Sequence, residues 1–345
     1  MRAAVLRSGR IVVRPDVPDP RPGPGQVLVR VRACGICGSD LHFARHGGRM
    51  LALGREVEGT PSGSSDPVDL DRDVFMGHEF AAEVLELGPG AAEHTAVGAL
   101  VTSVPVLLAE GGVAPIVYSN TVHGGYGELM LLSAPLLLDV PNGLPPHHAA
   151  LAEPMAVGLH AVNKSAIRRG EGAVVLGCGP VGLAVIAALR ARGAEPIVAS
   201  DFSPARRDLA AVLGAHRTVD PREETAWSAW AREDGRQLVA FDAIGVPGVI
   251  NDVLRSAPRG TRLVVVGVCM GTDSIDPYFG ITKELSLQFV LGYDAAEFER
   301  SLRSIAEGEI DVAPLVTARV PLDRISWAFD ALDDPDRHCK IIVEP

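Results

Sequence analysis

The 345-residue chain is 47% hydrophobic and 22% charged, enough to bury two cores, so disorder along its whole length is not expected. Its 43 acidic residues outnumber 32 basic ones for a net charge of −11, which gives a nucleic-acid backbone or an anionic membrane no electrostatic hold. No apolar run approaches the roughly 20 residues that span a bilayer. The five scattered cysteines and an N-terminus without a signal-peptide core make a cytoplasmic protein the expectation.

In chain order, Arg2–Leu6, Ile11–Arg14 and Val27–Val31 read as short strands between Pro- and Gly-rich turns, an irregular β start. Cys34-Gly-Ile-Cys37-Gly-Ser39-Asp40-Leu-His42 follows, placing thiols, a hydroxyl, a carboxylate and an imidazole close together. Gly47–Asp73 is expected to be an excursion loop, its later part of loop composition and ending in Asp66, Asp69, Asp71 and Asp73. Strands resume at Phe80–Leu87 and Leu100–Val104 around a Gly88-Pro-Gly turn; an apolar lobe at Val104–Ile116 and a strand after Gly124 complete a β-rich unit to about Pro145.

At Ala173 the pattern changes to alternating strands and helices. Strands are expected at Val174–Leu176, Pro196–Asp201, Leu238–Ile244 and Leu263–Val266, with helices at Leu183–Arg192 and Pro204–Leu213. From Phe298 the tail reads as a helix, a strand from Leu315, a helix at Ile325–Leu332 and a closing strand at Lys340–Val343.

Gly177-Cys-Gly179-Pro180-Val181-Gly182 lies between an expected strand and helix, the context in which Gly-x-Gly-x-x-Gly lets a pyrophosphate approach a helix N-terminus. Asp201 falls about 20 residues beyond the motif, where a carboxylate accepts both ribose hydroxyls and repels a 2′-phosphate. NAD is therefore expected over NADP, although Arg206 is placed to neutralise a phosphate.

Cys37 thiolate, neutral His78 and the Glu153 carboxylate would balance the charge of one Zn²⁺ and leave a coordination position free, as a catalytic site requires. Glu79 adjoins His78, and spacing does not separate Glu79 from Glu153 as the carboxylate ligand. Simpler accounts exist: Cys34 as a small buried residue, Glu153-Pro154 as a helix start, and His94, His123, His147 and His148 as surface residues. Phe43, Phe75, Tyr118, Met155, Cys269 and Met270 lie near segments expected to face the cleft and point to an apolar or bulky alcohol rather than a heavily hydroxylated one.

With these residues in hand, the chain resembles the zinc-dependent medium-chain dehydrogenases of the alcohol and polyol type. The resemblance rests on Cys37-Gly-Ser-Asp-x-His42, Gly77-His-Glu79, Ala-Glu153-Pro, the glycine motif, Lys283-Glu-Leu, and Ile-Asp-Val-Ala-Pro-Leu-Val-Thr317. It implies an α/β protein with a GroES-like β-rich catalytic domain, residues 1–157 and 293–345, and a Rossmann doubly wound parallel sheet, residues 158–292. It puts Cys37, His78 and Glu153 at metal-ligand positions with Glu79 adjoining, Ser39 and His42 on a proton relay, and Asp40 behind the ligand histidine. Val157 and Val181 would pack against the nicotinamide, with Val268 along it. A homodimer or homotetramer is implied.

Two departures stand out. The family's cysteine-rich lobe is missing, since no cysteine lies between Cys37 and Cys178, so one catalytic zinc and no structural zinc is expected. The Cys37–His78 separation is also longer than usual, with the excess in Gly47–Asp73. The expected activity is hydride transfer between an alcohol and NAD. A zinc-free quinone or enone reductase and a non-catalytic NAD-binding protein are the alternatives.

Overall fold

The computed structural model describes residues 1–58, 68–109, 112–230 and 236–345. The N-terminal part contains β1 (Ala3–Arg7), β2 (Arg10–Arg14), β3 (Gln26–Gly35), α1 (Gly38–Glu58), β4 (Val74–Phe75), β5 (Glu79–Leu87), β6 (Leu100–Ser103), β7 (Val106–Ala109), β8 (Gly112–Pro115), β9 (Leu129–Ser133) and β10 (Leu137–Asp139). Helices α2 (Pro146–Ala149) and α3 (Ala152–Lys164) lead into β11 (Gly172–Leu176), α4 (Pro180–Arg192), β12 (Ile197–Ser200), α5 (Pro204–Val212), β13 (Arg217–Val219), α6 (Ala226–Trp230), β14 (Leu238–Asp242), α7 (Val249–Ser256), β15 (Arg262–Val265), α8 (Pro277–Lys283) and β16 (Ser286–Phe289). The tail supplies α9 (Ala295–Ala306), β17 (Val316–Pro321), α10 (Ile325–Ala331) and β18 (Lys340–Glu344).

β11 to β16 form a parallel sheet in the order β13-β12-β11-β14-β15-β16, so strand order reverses between β11 and β14 and opens a crevice there. β11, β12 and β14 are buried along their whole lengths, which explains their continuous apolar runs. β16 is exposed at all four residues because it forms an edge. β13, α6, α7, α8 and β16 do not announce themselves by pattern; Trp227 and Trp230 of α6 are buried against the sheet all the same.

The other large sheet runs β10-β6-β5-β3-β18-β17, with β9 also on β3. β18 pairs antiparallel with β3, matching Ile342 to Gly35 and Val343 to Cys34, so the last strand of the chain closes beside the Cys34–His42 segment. The apolar lobe is the β7–β8 hairpin, with Leu107 buried and Leu108 and Val113 exposed.

The expectation of a loop over Gly47–Asp73 is corrected in its first part. α1 continues to Glu58, broken at His46 (φ −131°, ψ 19°). Met50 and Leu51 pack against the β-domain core, so tertiary burial sustains the second half of the helix. The Gly59–Pro67 part of that expectation, including Asp66, lies outside the described residues. Among the described residues no helix is long and apolar enough to cross a membrane.

Candidate active site

The site is assembled where β3, β5, β18 and the first turns of α1 and α3 meet. Asp40, in the first turn of α1, accepts from the Cys37 backbone N–H through Oδ2 at 3.1 Å, half of a capping box that fixes the turn after β3. Tyr126 donates its hydroxyl to the same oxygen at 2.6 Å. The other oxygen, Oδ1, faces His78 Nδ1 at 3.5 Å, too poorly aligned for a hydrogen bond, and both atoms are buried without a partner. The His78 ring also contacts the Cys37 side chain, and the charge of Glu153 reaches it. Burial opposes protonation of His78, but Asp40 and Cys37 outweigh it and raise its pKa well above the usual value.

The two glutamates differ. Glu79 is fully buried and grips Lys340 Nζ through both oxygens at 2.7 and 2.8 Å, while Nζ donates to the Ile36 carbonyl at 3.0 Å. Close approach of β3 is required, for a Cβ on Gly35 would stand 2.0 Å from Glu79 Oε2. Glu153, in the first turn of α3, has no such cation; burial raises its carboxyl to about 7, with His78 opposing the rise. Tyr293 stands beside it. That tyrosine precedes the Asp294 N-cap of α9 and stacks on Phe298 with centroids 5.5 Å apart, a staple that sits over the Asp294–Glu297 capping box.

Ser39 and His42 lie on one face of α1, three residues apart, both half-buried. Burial, then His46 and Arg45, lower the His42 pKa, so the imidazole is a proton acceptor at neutral pH. Among the described residues no three His, Cys, Asp or Glu side chains stand at metal-ligating spacing; Cys37, His78 and Glu153 adjoin without closing on one point. Their chemistry nevertheless fits Zn²⁺: two groups able to carry −1, an imidazole that can give up its proton to a metal, and an orphaned His78–Asp40 contact of the kind that orients a ligand histidine.

Across the crevice, Gly179 is the N-cap of α4 with Pro180 at its first position. Gly182 must be glycine, since a Cβ there would lie 1.9 Å from the Gly177 carbonyl oxygen. Asp201 accepts from the Cys178 N–H at 2.7 Å and the Ser203 N–H at 2.8 Å, joining the glycine turn to the start of α5. The Arg206 guanidinium reaches the Gly179 turn, and its Nε is buried without a partner. Val157 and Val181 are half-buried and Val268 is 47% exposed. α3 carries both Glu153 and Val157 and packs on α4 so closely that a Cβ on Gly158 would meet the Ala184 backbone at 2.4 Å. The donor side and the nucleotide side are thus tied through one helix contact.

Residues 23–142 match the alcohol dehydrogenase GroES-like domain and residues 180–307 the zinc-binding dehydrogenase family. The chain is 33% identical to the (R,R)-butanediol dehydrogenase of Bacillus subtilis over 100% of both chains. The chain belongs to the zinc-dependent medium-chain alcohol and polyol dehydrogenases. It is also 28% identical to a sorbitol dehydrogenase of Bacillus subtilis, over 100% of this chain and 97% of that one. The crystal structure of the 2R,3R-butanediol dehydrogenase from Bacillus subtilis superposes with a TM-score of 0.82 at 32% identity, covering 100% and 99% of the two chains. A protein described as a zinc-binding dehydrogenase from Sinorhizobium meliloti, bound to NADP, gives 0.81 at 29% identity with the same coverage. This dehydrogenase is accordingly an oxidoreductase of alcohols or polyols that uses a nicotinamide dinucleotide, and neither the zinc-free reductase nor the non-catalytic alternative is favoured.

Four contributors escaped the sequence reading in these roles: Lys340, Tyr126, Tyr118 and Tyr293. Two of them left a signal: Tyr118 as an aromatic expected near the cleft, and Lys340 as a lysine at the start of an otherwise apolar closing strand. Of the residues expected at the cleft, Phe43 is buried beneath Tyr118, whereas Met155 lines a groove of about 560 Å³ between α3, α4 and α9 to which no donor residue contributes. His123, expected at the surface, is half-buried against Phe75.

Proposed function

We propose that this dehydrogenase oxidises a secondary alcohol or polyol reversibly with NAD, with Cys37, His78 and Glu153 as the residues that would hold its zinc. The observation that carries this assignment is the fate of the two glutamates: Lys340 neutralises Glu79 through both oxygens, whereas Glu153 makes no ion pair of its own among the described residues and burial holds its carboxyl up to about 7. Glu79 then acts behind the donors. When bound, zinc supplies Lewis-acid polarisation of the alcohol oxygen.

The chain's own groups do the rest. Asp40 orients His78 from behind, and Tyr126 and the Cys37 N–H hold Asp40. Ser39 accepts the hydroxyl proton and His42, kept neutral, delivers it towards solvent. Val157, Val181 and Val268 supply apolar contact to the nicotinamide, and the Gly177–Gly182 turn with the N-terminus of α4 receives the pyrophosphate. Asp201 favours NAD, and Arg206 is the counterweight. One zinc per subunit is expected from the absence of cysteines between Cys37 and Cys178.

A homodimer is proposed through the edge of β16, where Phe289 is 65% and Leu291 89% exposed and unpaired strand groups suit a second copy across a two-fold axis. The unpaired cysteines fit a cytoplasmic setting. The test is metal analysis beside NADH formation. Near one zinc per subunit, lost in Cys37→Ser and Glu153→Ala but retained in Glu79→Gln, supports the assignment; the reverse order for the two glutamates refutes it.

A further inference from the structure

Tyr118 is a buried donor that the assigned chemistry does not use. Its ring lies flat on Phe43, centroids 3.8 Å apart at 5°, and the next residue is pinned to β4 by two backbone hydrogen bonds, Phe75 N–H to the Ser119 carbonyl at 2.7 Å and Ser119 N–H to the Phe75 carbonyl at 3.2 Å. The phenol therefore has little freedom to seek another partner. Its hydroxyl is buried, and although Ser39 adjoins it closely enough to pull against the effect of burial, no partner stands in full hydrogen-bond geometry. It stands beside Ser39, with the charges of Asp40, Cys37 and Glu153 in reach. Asp40 is committed elsewhere, Oδ2 to Tyr126 and the Cys37 N–H, Oδ1 towards His78. A buried O–H left so is costly unless an acceptor arrives with a ligand.

We propose that Tyr118 is a specificity-determining residue whose O–H donates to a second oxygen of the substrate, on the carbon next to the one oxidised. The position follows from Ser39, which takes the proton from the reacting oxygen: a donor adjoining Ser39 meets the neighbouring oxygen, because oxygens on adjacent carbons are themselves hydrogen-bond neighbours. A methyl group in that place leaves the phenol unpaired against Phe43. Such a site rejects a substrate lacking the oxygen more strongly than an apolar pocket rejects an added one. This revises the expectation of an apolar or bulky alcohol: the aromatic pair is a wall with one polar contact built into it. The inference rests on the alcohol dehydrogenase reading.

The test compares Tyr118→Phe with the unaltered enzyme on matched pairs: 2,3-butanediol with 2-butanol, and 1,2-propanediol with 2-propanol. The expected result is a fall in kcat/KM of about 10- to 100-fold for each diol and a change within about threefold for each monoalcohol. Thermal unfolding in the presence of NADH and each alcohol reads the same ranking without turnover: the variant loses protection by the diols and, relieved of a buried unpaired hydroxyl, unfolds at no lower a temperature than the unaltered protein without them. Equal falls for diol and monoalcohol would place Tyr118 on Ser39 instead and overturn the proposal, as would no fall for the diols. Failure of the unaltered enzyme to form NADH from any of the four overturns the underlying reading, and the proposal with it.

Discussion

The two walls of the crevice handle buried polarity in opposite ways. At the nucleotide wall the Asp201 and Asp242 carboxylates are spoken for by backbone amides: Cys178 and Ser203 for the first, Ile244 and Gly245 for the second, leaving Arg206 Nε as the loose end. At the donor wall Asp40 Oδ1 and His78 Nδ1 meet only each other, at 3.5 Å and out of hydrogen-bond alignment, and the buried Tyr118 and Tyr293 hydroxyls adjoin Ser39 and Glu153 without full hydrogen-bond geometry. Each such group costs about 1–3 kcal/mol. On the proposed assignment the nucleotide wall is a finished scaffold for a cofactor to dock on, and the donor wall is one that a metal and a substrate would complete.

The sharpest way to break this contrast is to remove a donor. Cys37→Ser or His78→Ala should lower kcat by at least about 10³-fold, several kcal/mol of lost Lewis-acid and positioning effect, while NAD affinity changes by less than about threefold. Stopped-flow turnover beside NADH titration checks it. A parallel loss of cofactor binding would mean the walls are not separable.

Next comes the Lys340–Glu79 ion pair of the donor wall. Lys340→Met should destabilise the protein by about 3–5 kcal/mol in urea unfolding, by leaving the Glu79 charge buried alone. The double variant with Glu79→Gln should recover most of that loss. Burial lowers the Lys340 pKa, but Glu79 outweighs it and carries it above the ordinary value. The pair's stabilisation is therefore complete below the unfolded-state value of about 10.5 and fades as pH rises through the higher folded one. Unfolding midpoints measured from about pH 9 upwards should fall more steeply in the unaltered protein than in the double variant.

On the nucleotide wall, Asp201→Ala unties the glycine turn from α5 and removes the proposed ribose acceptor. The expected effect is a fall in kcat/KM for NAD of about tenfold or more, with a smaller fall for NADP. Equal losses would show that Asp201 braces the turn without choosing the cofactor. The smallest effect belongs to the support behind Tyr293. Asp294→Ala removes the α9 cap for about 1 kcal/mol and a Tm lower by a few degrees, and kcat should stay within about twofold.

Much of the molecule could be read from its residues because the relevant signals are local. Glycine spacing after an apolar strand places Gly177–Gly182 at the head of α4, and Cys, His and Glu donors declare their chemistry by type. The strand–helix alternation after Ala173 follows from burial on both faces of a parallel sheet. The elements it missed, such as β16 and the second half of α1, carry weak local patterns and are formed by edge position and packing.

What only the tertiary structure decided is which partner each group has. Glu79 and Glu153 are chemically identical in the sequence, and they part company because β18 brings Lys340 under one of them across 261 residues. Tyr118 reads as an aromatic near the cleft until stacking on Phe43 directs its hydroxyl to Ser39. Residue type sets what a side chain can donate, accept or ligate, and that is local. Whether the capacity is spent or kept open depends on which distant strand packs against it, because in a low-dielectric interior the nearest opposite charge decides the state of a buried group.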